Sequence, residues 1–366
     1  VVDRPAIAHN FKVFRSYIPQ TTKLLAVVKS NAYGHGLVDF AKEMEALGVD
    51  WLGVDSIVEA LALRREGVKT PIVVLGYTLP ERIDEAIRNH ISVSLSNFEQ
   101  IPIFAKHAVT APLSIHIKVD TGMHRQGFLP EDQPRLLKEL RKHKKQLLVE
   151  GLFTHFASAK NPAFPHYTKK QIAEFDVWRD TFADAGYTPL VHAGATAGTI
   201  LFPEAHLGMV RIGIGLYGLW PASEVERSYQ DRLTLKPALS WKTIISEIKS
   251  LPKGEKIGYD GTETLSRQSQ VAVCPVGYWH GYPRALSSIG YVLVKGKRAR
   301  VLGRVSMDMI TIDITGISGV RSGDEVTLIG HDGEEEISAK ELASAMDGSY
   351  YELLTRINPL VKRIYV

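Results

Sequence analysis

Between about residues 24 and 218, short apolar runs rich in β-branched side chains alternate with stretches whose apolar positions recur at helical spacing. The runs at 24–29, 51–55, 71–76, 92–95, 113–120, 148–156, 189–193 and 209–217 read as strands. Many are apolar throughout instead of alternating, the pattern of strands buried on both faces. Ser56 with Glu59 makes a capping box, Asn97 with Gln100 resembles a second helix start, and Gly48, Gly67 and Gly186 stand where helices should stop. A further helix over 5–17 precedes the first strand. This succession predicts an α/β fold, a (β/α)8 TIM barrel, over the doubly wound open sheet that the same alternation could also build.

After about residue 230 the texture changes. Segments 238–251, 270–275, 291–294, 298–313 and 325–329 read as strands, separated by turns such as Lys253-Gly254 and Asp332-Gly333, with one good helix over 338–346. The expected organisation is a barrel over 1–230 followed by a mostly β C-terminal domain over 231–366, with the first few residues free to pair with the second domain. No internal repeat or low-complexity tract interrupts it.

Composition adds mainly exclusions. With 45% hydrophobic and 23% charged residues the chain has the balance of an ordinary globular protein. A net charge of +4, from 44 basic and 40 acidic side chains, is too even to argue for nucleic acid or a membrane surface. The basic run at 141–145 reads as a solvated helix end. Cys274 is the only cysteine, so no internal disulfide can form, and its apolar neighbours mark it as a small core residue. No apolar segment approaches the roughly 18–20 residues that span a bilayer. The chain begins at Val1, which leaves an upstream leader or domain open.

Barrel active sites form at the C-terminal ends of the strands. The first candidate strand ends Ala26-Val27-Val28-Lys29-Ser30-Asn31-Ala32-Tyr33-Gly34-His35-Gly36. Burying an ammonium is costly unless something compensates, and a Schiff base with an aldehyde cofactor would give this lysine a task. The plainer alternative is a lysine that emerges from the barrel mouth into water. The whole string strongly resembles the cofactor-lysine signature of the alanine racemase family. Further matching pieces follow in the family's order: Lys118-Val119-Asp120-Thr121-Gly122-Met123-His124-Arg125-Gln126-Gly127, Thr154-His155-Phe156-Ala157 and Arg211-Ile212-Gly213-Ile214-Gly215-Leu216-Tyr217-Gly218. Gly258-Tyr259, Val276-Gly277-Tyr278, Gly303-Arg304-Val305-Ser306-Met307-Asp308 and Tyr350-Tyr351-Glu352 complete the set. The similarity runs through essentially the whole chain.

The resemblance implies a pyridoxal 5'-phosphate enzyme, a racemase interconverting L- and D-alanine, with no metal. Lys29 would hold the cofactor covalently, and Tyr33, Thr196, Tyr351 and the backbone amides of Gly213 and Ile214 would hold its phosphate. Arg211 would face the pyridine nitrogen; a guanidinium cannot take up a proton, so that nitrogen stays unprotonated and the electron sink is weak. Lys29 and Tyr259 would be the two bases on opposite faces, with Tyr259 supplied by the second subunit of a homodimer and His155 standing between Tyr259 and Arg211. Arg125 would contact the cofactor phenolic oxygen and the substrate carboxylate. Lys118 matches a lysine that the family carbamylates, although a plain ion pair with Asp120 is the structural alternative. Met307 would touch the substrate from the partner chain, and Tyr278 with Tyr351 would form a narrow gate. A bacterial cytoplasm and D-alanine supply for peptidoglycan follow by the same analogy.

Two other readings compete. A decarboxylase of the same barrel-plus-β arrangement would carry a glutamate at the pyridine nitrogen, where this chain has Arg211, and would lack the Tyr259 counterpart. A one-domain protein that binds the cofactor without catalysis would lack residues 231–366 altogether.

The chain also departs from the commonest family strings. Ala195 stands where asparagine is usual, Thr196 replaces a serine, Lys160 replaces an aspartate, and Trp279-His280 replaces Ala-Asp. A less negative approach should favour the carboxylate end of more substrates. Turnover of serine within about a thousandfold of alanine is therefore expected in a chiral assay, and strict alanine selectivity beyond that factor would refute the idea.

Overall fold

A computed structural model of the chain describes residues 1–366. Eight short strands, mostly buried and least so in β6 and β7, run in parallel in sequence order: β1 (Lys23–Val27), β2 (Trp51–Val54), β3 (Ile72–Val74), β4 (Ile91–Leu95), β5 (Leu113–Lys118), β6 (Leu147–Phe153), β7 (Leu190–Ala195) and β8 (Met209–Ile212). β8 pairs back onto β1, through Leu25↔Arg211 among others, so the sheet closes into a barrel and the open doubly wound alternative is excluded.

The helices between strands start and stop on the expected signals. Ser56 Oγ accepts from the Glu59 amide at 3.4 Å, and Asn97 Oδ1 accepts from the Gln100 amide at 3.0 Å. Gly67 follows the helix Ile57–Arg65 at φ +87°, a left-handed position where a Cβ would be strained although space is open. Several strands end earlier than expected, among them β3 at Val74, β5 at Lys118 and β6 at Phe153, and two of these ends matter for the site. β1 stops at Val27, before Lys29, and β8 stops at Ile212, after which Ile214–Tyr217 tightens into a 3-10 turn.

The chain divides into two compact units. One comprises Pro5–Ala32 and Leu37–Lys236; the other comprises Val1–Arg4, Tyr33–Gly36 and Pro237–Val366. The second unit is built on an antiparallel sheet. Its strands are β9 (Trp241–Ile244), β10 (Glu247–Leu251), β13 (Ser269–Cys274), β14 (Tyr291–Val294), β15 (Lys297–Leu302), β16 (Ile310–Asp313), β17 (Glu325–Asp332) and β18 (Glu335–Ile337). They lie in the order β10-β13-β16-β15-β14-β17-β18, with β9 also on β17. A separate ribbon pairs β11 (Lys256–Ile257) with β12 (Glu263–Thr264).

The single strands expected over 238–251 and 298–313 are each two strands, and a second short helix, Tyr350–Thr355, joins Ala339–Ala345. Val2 bridges Leu239 and Tyr365, which ties the N-terminus into this unit. Tyr33–Gly36 is held there as well. Arg363 Nε donates to Gly34 O at 2.9 Å, Tyr365 Oη donates to His35 O at 3.0 Å, and a Cβ on Gly34 would lie 2.0 Å from Leu354 O.

Candidate active site

The turn that presents Lys29 is strained. Ser30, Asn31, Ala32 and Tyr33 all adopt left-handed backbone, with φ between 50° and 56°. Each such non-glycine residue costs roughly 1–2 kcal/mol, so surrounding contacts must impose the conformation. Glu59 provides one of them. Its carboxylate accepts from the Asn31 amide at 3.3 Å and the Asp55 amide at 2.9 Å, in place of the Ser56 amide that a full capping box would use. Asn31 Oδ1 in turn accepts from the Leu37 amide at 2.9 Å. Lys29 Nζ lies 3.2 Å from Asp55 Oδ1, and the two side chains are 37% and 56% exposed. The ammonium is thus neither buried nor unpaired, which corrects the sequence argument from the cost of burial. So exposed an ion pair holds the amine only weakly.

Arg211, on β8, is the buried centre of the barrel mouth. Its Nη1 donates to His192 Nδ1 at 2.8 Å, and its Nη2 donates its two hydrogens to Thr154 O at 2.8 Å and Ala193 O at 2.7 Å, with His155 Nδ1 sharing one of them at 3.2 Å. A guanidinium has no acceptor, so both imidazoles must receive through Nδ1 and carry their hydrogen on Nε2. Burial lowers the Arg211 pKa to about 9, which still leaves it charged at neutral pH. Burial, followed by the positive charges of Arg211, Arg125, Lys118 and Lys29, pushes His155 down to about 3 and keeps it neutral.

Lys118 closes β5 with its side chain buried. Burial and then Arg125, Arg211 and Lys29 bring its pKa down to about 8. Its ammonium donates to Gln126 Oε1 at 3.1 Å, and beside it lies a small cavity lined by Arg125, Thr154 and His155 among others. Asp120 accepts the amides of Gly122, Met123 and His124 at 2.9–3.0 Å, so its carboxylate shapes the loop that carries Arg125. The mouth therefore gathers four cationic side chains with few free anions.

Thr196 follows β7. Its Oγ1 accepts from the amides of Gly213 at 3.2 Å and Gly215 at 3.4 Å, so its own hydrogen is left to donate. Ile214 opens a 3-10 turn, whose first amides find no partner within the turn. Gly215 is a packing requirement, since a Cβ there would meet Phe14 at 2.4 Å.

The remaining expected residues lie in the other unit. The Tyr33 and Tyr351 rings are 6.2 Å apart, and burial raises the Tyr351 phenol. Tyr259, Tyr278 and Met307 are 70%, 44% and 54% exposed. The Tyr259 turn is fixed by Gly258 at φ +74° and by an Asp260–Arg304 ion pair at 2.8 Å. Gly277 lets the Tyr278 and Met307 segments meet, because a Cβ would sit 2.4 Å from Met307 O. Of the departures, Lys160 and Trp279 are exposed, while His280 Nδ1 accepts from the Gly277 amide at 3.2 Å and closes its own turn.

The sequence reading overlooked Asp55, His116, Glu150 and His192. The signal that could have found the histidines is a polar residue inside an otherwise apolar barrel strand, as in Ile115-His116-Ile117.

Comparison with known proteins decides the family. The family models for the alanine racemase N-terminal and C-terminal domains match residues 2–221 and 238–365. The chain belongs to the alanine racemase family. The alanine racemase of Symbiobacterium thermophilum is 41% identical over 367 residues, covering 100% of this chain and 96% of that protein. That of Methanococcus maripaludis is 39% identical over 369 residues, covering 100% and 97%. The crystal structure of alanine racemase from Bacillus anthracis with bound L-Ala-P superposes with a TM-score of 0.95 at 36% identity, covering 100% of this chain and 94% of that one.

The alanine racemase family depends on pyridoxal 5'-phosphate. The residues present fit it. A primary amine in a weak ion pair can condense with the aldehyde, and the Thr196 hydroxyl is a buried donor suited to a phosphate oxygen. Arg211 is a charge that the barrel leaves without a carboxylate in direct contact.

The neutral histidine carries a pH consequence. Unfolded His155 takes up a proton near pH 6.5, whereas the folded one resists until about 3. Its contribution is complete above 6.5 and is lost as pH falls towards 3. The slope is at most about 1 kcal/mol per pH unit, reduced because the ring is only partly buried. Denaturant titrations of wild type and His155→Asn should diverge at pH 7 and converge in acid; parallel curves would contradict this.

Proposed function

We propose that this chain is an alanine racemase that works by two bases, Lys29 and Tyr259, acting on opposite faces of the substrate Cα. The observation that carries the reading is Arg211, a donor charged at neutral pH and held by two backbone carbonyls and two imidazoles. When bound, pyridoxal phosphate supplies an electron-withdrawing ring that acidifies the Cα hydrogen. Arg211 would face the ring nitrogen, and a group that cannot take up a proton there would keep that withdrawal modest, favouring quick return of the proton over side reactions.

The chain's own groups do the rest. Lys29 Nζ would hold the cofactor and would move a proton on its own face of the substrate Cα. Tyr259 serves the other face from a second copy of the chain in a homodimer. Exposure of Tyr259, Tyr278, Trp279 and Met307, four large side chains of one unit, supports that arrangement. A phenol with a reference pKa near 10 needs help to act as a base, and the His155 Nε2 hydrogen is a donor suited to stabilise its phenolate. Arg125 orients the substrate carboxylate; Tyr33, Thr196, Gly213, Ile214 and Tyr351 hold the phosphate; Met307 contacts substrate; and Tyr278 with Tyr351 forms the gate.

No helix of the chain is long and apolar enough to cross a membrane. We place the enzyme in a bacterial cytoplasm, supplying D-alanine for cell-wall peptidoglycan. A serine-accepting variant of the same reaction remains the second reading, on the departures at Ala195, Lys160 and Trp279.

Lys118 acts as a carbamate. Its lowered pKa leaves a large share of neutral amine near pH 8, and Nζ can add to CO2 with release of a proton. The resulting anion, beside Arg125, orients that guanidinium. Native mass spectrometry in bicarbonate buffer should show one added CO2 per chain, absent in Lys118→Ala; an unmodified wild type would refute the assignment.

Deuterium exchange at Cα tests the two-base mechanism. Tyr259→Phe should slow exchange from one enantiomer by at least about a hundredfold and leave the other nearly unchanged. Equal residual exchange from both enantiomers would overturn it.

A further inference from the structure

The buried contacts of Arg211 continue beyond the mouth. His192, on β7, receives the guanidinium at Nδ1, so its hydrogen is on Nε2. That nitrogen lies 2.9 Å from Nδ1 of His116 on β5. Only one donor direction is compatible with the arginine: His192 Nε2–H donates and His116 Nδ1 accepts. His116 therefore carries its hydrogen on Nε2, which has no hydrogen-bond partner and lies 3.6 Å from Glu150 Oε2 on β6. β5 and β7 are not neighbours in the barrel, so the two imidazoles meet across its interior.

Glu150 is the only carboxylate in contact with the series, and its side chain is 32% exposed. Ser92 Oγ donates to it, and Lys23, which opens β1, adds a positive charge nearby. Burial opposes its ionization, but the contacts with His116 and Ser92 hold its pKa below the usual value. The series thus runs from the guanidinium at the mouth towards the N-terminal ends of the strands.

The barrel is shaped to admit these rings. The β5–β6 register shifts beside His116, where Gly151 pairs with it, and a Cβ on Gly151 would lie 2.2 Å from His116 Nδ1. The β7–β8 register shifts just after His192. The His192 ring stacks on Phe153 at 4.9 Å and 6°, and Trp51 meets His116 edge-on at 5.2 Å. Two irregularities and a glycine accommodate two polar rings where apolar side chains would pack more easily.

We propose that His192 and His116 form a directed hydrogen-bond relay that positions the Arg211 guanidinium, with Glu150, 3.6 Å beyond its far end, as the remote counter-charge. This rests on the racemase reading for what Arg211 does, though not for the relay's existence. A carboxylate in direct contact would neutralise the guanidinium and compete for its N–H groups. Two oriented neutral imidazoles stabilise the charge while leaving it undiminished at the mouth. The three are positioning residues, because they act through Arg211.

The test uses the holoenzyme. Nitrogen-15 NMR of histidine-labelled wild type should show His192 and His116 with hydrogen on Nε2 and a bare Nδ1. In Glu150→Gln a polar group of the same size still faces His116 Nε2, and the Arg211–His192–His116 hydrogen bonds are untouched, so the tautomers persist while the charge is gone. Its kcat should fall about tenfold with KM changed less than about twofold. The visible band of the lysine-bound cofactor should titrate at lower pH, because the site has become more positive. An Nδ1–H tautomer on either ring, or unaltered kcat and band titration in Glu150→Gln, would overturn the relay. If the wild type bound no cofactor and racemized nothing, the function reading would fail instead, while the tautomers would still report on the relay.

Discussion

One arginine that can only donate organises the barrel mouth. Arg211 is fully enclosed, so every group around it must accept, and the structure meets that demand with two carbonyls and two imidazole nitrogens. From this follow the neutral state of His155 and the side from which its hydrogen can leave. The orientation of His192 follows as well. The nearby cations Lys29, Lys118 and Arg125 make the same region hospitable to the phosphate, phenolic oxygen and carboxylate that a racemase must hold, and hostile to a protonated histidine.

Local strain adds a second constraint. Four consecutive left-handed residues follow Lys29; Glu59 accepts the Asn31 amide within the turn, and Asn31 Oδ1 accepts the Leu37 amide of the helix that follows it. The conformation releases Lys29 from the strand, so that the amine is reachable yet anchored at its backbone. The chain enters the turn from one compact unit and leaves it through Tyr33–Gly36, which belongs to the other. A glycine at position 34 is needed there because neither its φ of +86° nor its approach to Leu354 O tolerates a side chain.

The sequence made the barrel legible because strands buried on both faces are apolar throughout, and because capping residues such as Ser56 and Asn97 mark helix starts. It misjudged the end of β1, since a left-handed turn of ordinary residues leaves no compositional trace. It merged β15 with β16, since the intervening 303–309 segment contains apolar residues that look like strand. The residues that match family motifs were legible from similarity alone; position by itself favoured a solvent-facing lysine at 29, and the observed Lys29–Asp55 pair has that character. The relay was not legible, because a lone histidine in an apolar strand is usually a satisfied core residue. Only the geometry between non-neighbouring strands sets His116 and His192 in line.

The central claim is that the aldehyde cofactor is held on Lys29 beside Arg211. The most direct measurement is borohydride reduction of the holoenzyme, followed by proteolysis and mass mapping of the labelled lysine. The account predicts stoichiometric pyridoxyl label on Lys29 and on no other lysine. Absence of label, or label on Lys118 or a surface lysine with Lys29 unmodified, would contradict it.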